Sequence, residues 1–237
     1  MIAEDLLFID IETVSEHPSF DHLPETWKSL WQEKVLRQVP EGLTAADFYP
    51  MRAGVMAEFS KVICISIGKI VNGQFRMKSF FDENERNILE HFSATLKKLE
   101  GNRFCFAGHN IKEFDIPFLC RRMIINQLSI PSCMDFQQLK PWETPIVDTL
   151  HLWRFGDIKN YTSLNLLAAA LGIPSPKDDI NGSMIGDLYW NCAEGAKKEV
   201  LERIRTYCQK DVLTTANVLL RLQGRPIILE ENIQVSD

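Results

Sequence analysis

The stretch that most restricts the fold is Leu6-Leu7-Phe8-Ile9-Asp10-Ile11-Glu12-Thr13. Four apolar residues in a row predict a strand covered on both faces, and so a central one. Side chains two apart on a strand leave the same face, so Asp10 and Glu12 project together from its end. Two ionised acids that close repel and are costly to bury. A cation between them removes that cost, and hard oxygen donors suit Mg²⁺ or Mn²⁺. Asp-x-Glu alone is also what a strand end reaching solvent carries, so the motif needs company.

The rest of the composition narrows the class. The chain has 237 residues, 45% hydrophobic, with a formal charge of −6, which suits one α/β domain with a real core. Six cysteines show no C-x-x-C pair and several sit in apolar runs, so they read as reduced core thiols of a cytosolic protein. Glu4 and Asp5 before the first apolar run are unlike a signal peptide, and no apolar run is long enough to span a bilayer. The acidic balance argues against coating nucleic acid through bulk charge. It leaves room for a local basic groove.

Residues 14–58 carry Pro18, Pro24, Pro40 and Pro50 with Trp27, Trp31 and Phe48. The stretch is too long for a bare loop and is expected to be an inserted flap within a single domain over 1–237. In it, 25–39 predicts an amphipathic helix, either packed on the sheet edge or touching substrate. Residues 61–71 and 74–81 predict two antiparallel strands around Asn72-Gly73, a strong hairpin signal. Asp82 is expected to cap a helix running to 99 and ended by Gly101, with Ile88, Leu89, Phe92, Leu96 and Leu99 inside. A buried strand over 103–107 should lie parallel to the first, and a helix should start near 114–117. Asp148 and Ser163 are expected to cap the helices 149–155 and 164–171. Residues 176–183 form a polar loop, 194–223 the longest helix, and 227–229 a tail or edge strand.

Two further acids stand beside apolar segments. Asp115, in Asn110-Ile111-Lys112-Glu113-Phe114-Asp115-Ile116-Pro117-Phe118, opens a helix, where free N–H groups favour a carboxylate. Tyr207 and Asp211 lie four apart, on one helical face. Each taken alone is also an ordinary helix acid. Together, and in this order, the three motifs resemble the DEDD superfamily of 3′→5′ exonucleases. The tyrosine in the third motif matches its DEDDy type, as in stand-alone exonucleases related to the proofreading domain of family B DNA polymerases. The segments Val147-Asp148-Thr149, Ser163-Leu164 and 178–183 resemble the same group.

That resemblance implies an α/β, RNase H-like fold, with a mixed central sheet and helices on both faces. It implies two divalent metal ions, Mg²⁺ or Mn²⁺, held by Asp10, Glu12, Asp115 and Asp211, with Asp10 bridging and Tyr207 orienting the attacking water. Ile11, Glu12 and Thr13 would lie beside the terminal nucleotide and Asn110 would bond a sugar or phosphate. Phe114 either stacks on a base or is a core aromatic anchoring the helix, and Lys112 and Lys177 are phosphate contacts or simply solvated lysines. The implied activity is release of 5′-mononucleotides from single-stranded DNA. An exoribonuclease of the same fold and a non-catalytic nucleic-acid binder are the alternatives. The expected partner is single-stranded nucleic acid, DNA ahead of RNA, with no membrane and protein partners open.

Overall fold

The computed structural model of the protein describes residues 3–99, 104–140, 142–174 and 180–236. The chain opens on strand β1 (Leu6–Ser15) and then enters an insertion with helices α1 (Glu25–Val35) and α2 (Ala45–Arg52). The hairpin β2 (Ser60–Val71) and β3 (Gln74–Phe81) leads to helix α3 (Glu85–Leu99). There follow β4 (Cys105–Gly108), α4 (Asp115–Ile125), β5 (Ile146–Asp148), α5 (Thr149–Arg154), α6 (Leu164–Ala170) and α7 (Ile185–Trp190). The long helix α8 (Lys197–Leu222) and strand β6 (Ile233–Ser236) complete the described elements.

The strands form one mixed sheet in the order β5-β4-β1-β2-β3-β6. β1 runs antiparallel to β2 and parallel to β4, so the Asp-x-Glu strand is interior. Asn72 and Gly73 both have positive φ, 51° and 78°, as the tight primed hairpin turn requires. Alternation along β1 sorts its two faces. Leu7, Ile9 and Ile11 pack with Ile88, Phe92, Ile116 and Leu119 of α3 and α4. Leu6 and Phe8 pack with Val212, Ala216 and Leu219 of α8. A Cβ at Gly68 would stand 2.4 Å from the Phe75 ring and 2.8 Å from Val212. The glycine lets α8 lie close on the sheet.

The insertion has its own apolar cluster of Leu23, Trp31, Val35, Tyr49, Ala53 and Phe59. Along α1, Trp31 and Val35 are buried, whereas Trp27 and Leu30 are exposed. Helix α2 was not anticipated, because Pro50 within it argues against a helix. Its start was signalled by a capping box. Asp47 N–H donates to Thr44 Oγ1 at 3.2 Å, and Thr44 N–H donates to Asp47 Oδ2 at 2.9 Å. Arg122 of α4 ties the insertion to the frame by donating to Ala57 O at 2.8 Å.

Some boundaries differ from expectation. Asp82 does not cap α3 through its first N–H groups; it accepts from the Asn84 N–H in the turn before the helix and from Asn87 Nδ2 in its first turn, and Asn84 Oδ1 accepts from Arg86 N–H. The last strand lies at Ile233–Ser236, paired parallel with β3, not at 227–229. Gly101, Arg103, Lys177 and the start of the 176–183 loop fall outside the described residues. Among the described residues no helix is long and apolar enough to cross a membrane.

Candidate active site

The even-numbered face of β1, which carries Leu6 and Phe8 against α8, also carries Asp10 and Glu12. The register shifts between Glu12 and Thr13 opposite β2. A bulge there re-aims the strand end beside the acids. Helix α8 crosses above them and brings Tyr207, Cys208 and Asp211. Asp115 arrives from the first turn of α4, where its Oδ1 accepts the Ile11 N–H at 3.2 Å. Asp115 is thus bonded to the residue between the two acids of β1.

The electrostatics show how tightly the four acids gather. Burial pushes Asp10 well above the usual carboxylate range, and the charges of Asp211 and Asp115 push it further. Glu12 is raised in the same way, by burial and then by Asp10 and Asp211. Burial takes Asp115 up to about 7, partly offset by its backbone hydrogen bonds. The Tyr207 phenol is held far above its ordinary value by burial and by the Asp211 and Glu12 charges, and it shares a hydrogen bond with Asp211. Asp10, Glu12 and Cys208 offer ligand atoms all within 4.8 Å of one another. Crowded carboxylates that cannot all ionise without a counter-charge are the donor set of a hard divalent cation. The residues present fit such ions.

Two residues complete the geometry without having been singled out as site residues. Cys208 is fully buried and donates its S–H toward Asp10 Oδ2 at 3.2 Å and Asp10 O at 3.4 Å. Asp148 does more than cap α5. Its Oδ1 accepts from Leu150 and Asn110 N–H at 3.0 and 2.9 Å, and its Oδ2 accepts from Lys112 N–H at 3.0 Å. It clamps the turn that delivers Asp115. Gly108 opens that turn because a Cβ there would stand 2.0 Å from the Ile111 side chain.

The expected nucleotide contacts fall in different places. Ile11, Glu12, Thr13 and Phe114 line a cleft of about 640 Å³, walled opposite by Met51, Val55 and Trp190. Insertion residues therefore face the cleft. Thr13 Oγ1 is already engaged, donating to Gly54 O at 2.6 Å. Phe114 is half-buried, with its ring 5.2 Å from Phe118. Asn110, at φ 65°, keeps a buried amide oxygen that has no partner among the described residues. Lys112 lines a different groove, about 830 Å³ in volume, on the outer face of α4.

The interior strand of the mixed sheet thus ends in paired acids, met there by acids from two helices. A family profile described as the RNase H superfamily matches residues 52–223, and the chain belongs to that superfamily. No curated protein matches the sequence. Among solved structures, the chain is similar to the family B DNA polymerase from the hyperthermophilic archaeon Pyrobaculum calidifontis, with 19% identity and a TM-score of 0.50. The match covers 91% of this chain and 24% of the polymerase, so the chain spans about a quarter of that protein's length. Likeness at that identity concerns the fold.

Proposed function

We propose that this protein is a metal-dependent 3′→5′ exonuclease of the DEDDy type, releasing 5′-mononucleotides from single-stranded DNA. The observation that carries the reading is the meeting of Asp10 and Glu12 from β1, Asp115 from α4, and Tyr207 and Asp211 from α8. Asp10, Glu12, Asp115 and Asp211 would hold two Mg²⁺ or Mn²⁺ ions. When bound, the ions supply an activated water and charge stabilisation on the phosphate. Asp115 is kept in position by the Ile11 N–H and by the turn that Asp148 fixes. Tyr207 stays protonated at neutral pH, since its surroundings raise it. It therefore acts as a hydrogen-bond donor that orients water, not as a base. Ile11 and Phe114 give the terminal nucleotide an apolar wall, and the Asn110 amide oxygen is free to accept from a sugar hydroxyl.

The test is incubation with 3′-labelled and 5′-labelled DNA and RNA oligonucleotides under Mg²⁺, Mn²⁺ and chelator. Stepwise release of mononucleotides from the 3′ end, lost in chelator, is expected, with DNA turned over faster than RNA. Asp10→Asn should abolish release and weaken metal binding. Tyr207→Phe should slow release by about 100-fold, the scale of one positioned donor, with metal binding intact. Metal binding lost equally in both variants would overturn the role given to Tyr207. Faster turnover of RNA would make the protein an exoribonuclease.

A further inference from the structure

The segment between α5 and α6 exposes apolar side chains that the fold does not need. Phe155 is 89% exposed, Ile158 80% and Tyr161 63%. Phe155 ends α5 in the left-handed conformation, at φ 45°. Glycine takes that position without strain, whereas a bulky aromatic is an outlier there. A strained backbone that presents an uncovered ring contributes nothing to packing, and such positions concentrate at ligand sites.

The segment is braced from within. The Asp157 carboxylate accepts from Lys159 N–H at 3.0 Å and from Asn160 Nδ2 at 2.8 Å. Arg154 Nε donates to Asn160 O at 3.4 Å. The rings are therefore held outward on an ordered loop.

That loop is also fastened to the acid site. His109 Nε2 donates to Thr162 O at 2.9 Å, and Arg154 pairs with Glu113 at 3.4 Å. His109 and Glu113 both belong to the turn that leads into Asp115. The Asp115 charge reaches the Tyr161 phenol, which is raised by burial and then by that acid. Lys159 and Asp157 are both exposed on the loop, and the Asp157 carboxylate is already engaged by Lys159 N–H and Asn160 Nδ2, which leaves the Lys159 ammonium as the loop's cation.

We propose that residues 155–161 are a stacking platform for single-stranded nucleic acid, with bases upstream of the terminal nucleotide resting on Phe155 and Tyr161 and Lys159 meeting the backbone. Stacking on aromatic faces beside a positive charge is how single strands are held without sequence preference. A continuous track from Asp115 onto the loop would take several nucleotides. The proposal rests on the nuclease reading above and specifies how that site holds its substrate.

Phe155→Gly tests it, because the substitution relieves the backbone and removes the ring. Affinity for a fluorescent oligo-dT of about 12 nucleotides, measured by anisotropy in EDTA, should fall about tenfold, the scale of one lost stacking contact. The melting temperature should hold or rise, and Phe155→Trp should retain binding. Hydrolysis of the nitrophenyl ester of thymidine 5′-monophosphate, too short to reach the loop, should be unchanged in Phe155→Gly. Unchanged oligonucleotide affinity in Phe155→Gly overturns the platform while leaving the nuclease reading intact. Failure of the wild type to hydrolyse either substrate overturns the nuclease reading itself. Loss of self-association on sedimentation, with oligonucleotide affinity unchanged, would make the loop a contact between copies of the chain.

Discussion

Cys208 borders the acid cluster from α8 with its thiol turned onto the Asp10 carboxylate at 3.2 Å. One carboxylate oxygen is thereby occupied and oriented. Groups that hydrogen-bond a ligating carboxylate typically change metal affinity 10- to 100-fold when removed, and a weak thiol donor belongs at the low end. Cys208→Val fills the space without a donor, so Mn²⁺ affinity by calorimetry is expected to drop about tenfold with stability largely kept. Cys208→Ser keeps a donor but buries a hydroxyl in a smaller volume, so affinity should hold while stability falls. Equal Mn²⁺ affinity in both variants would deny the thiol a part in orienting Asp10. The spacing of Asp10, Glu12, Asp115, Tyr207 and Asp211 was legible because each stands next to an apolar run. Cys208 was not, since a cysteine on an apolar helix face looks like any core thiol. Asp148 was legible only as a cap, because its bonds to Asn110 and Lys112 N–H cross 38 and 36 residues.

Elements with strong periodicity or turn chemistry stand close to where the sequence put them: β1, the β2–β3 hairpin, α3 and α8. What the sequence could not reveal is how distant polar groups fasten them. Glu85 in the first turn of α3 accepts from Arg122 Nε at 2.8 Å and Nη2 at 2.5 Å, from Val62 N–H at 2.8 Å and from Asn126 Nδ2 at 2.7 Å. Both members of the pair are buried. Arg122→Met would leave the Glu85 charge without its cation and free the Ala57 carbonyl. A loss of about 3–5 kcal/mol in urea unfolding is expected, since a buried pair broken on one side is costly. Arg122→Met with Glu85→Leu should recover part of it, and a neutral single variant would show that the pair holds nothing together. His109 joins β4 to the start of α6 as a neutral ring. Burial keeps it below its ordinary value of 6.5. With a lowered native pKa, its contribution is whole above the unfolded value and is lost as pH falls through the native one. Between about pH 7 and 5 the wild type should therefore lose more stability than His109→Gln, measured by urea midpoints at each pH. Parallel pH profiles would show that His109 is not held neutral.

On the scale of the whole molecule, the proposed function asks an acidic protein of net charge −6 to bring a polyanion to its most acidic point. Bulk attraction cannot do this, so on that reading recognition is local: the cleft between β1, the insertion and α7, and the cations the acids would hold. The insertion supplies Met51 and Val55 to one wall, and Trp190 of α7 stands at another, its indole N–H donating to Ser15 O at 3.2 Å. Glu12 lies on the floor of that cleft and also belongs to the acid cluster. A terminal 3′-hydroxyl beside Glu12 offers a donor to a carboxylate. A 3′-phosphate in the same place offers none and adds negative charge where water is largely excluded, a like-charge contact costing several kcal/mol. Chain ends with a free 3′-hydroxyl should therefore be degraded stepwise, and 3′-phosphorylated ends should resist at equal concentration. Duplex ends should be slower than single-stranded ones, because terminal bases must unpair before a strand can enter the cleft. Gel analysis of four substrates decides the matter: a single strand, its 3′-phosphorylated form, the duplex and a circular single strand. Rapid cutting of the circle, or equal rates on phosphorylated and free ends, would reject the exonuclease reading in favour of an endonuclease using the same acids.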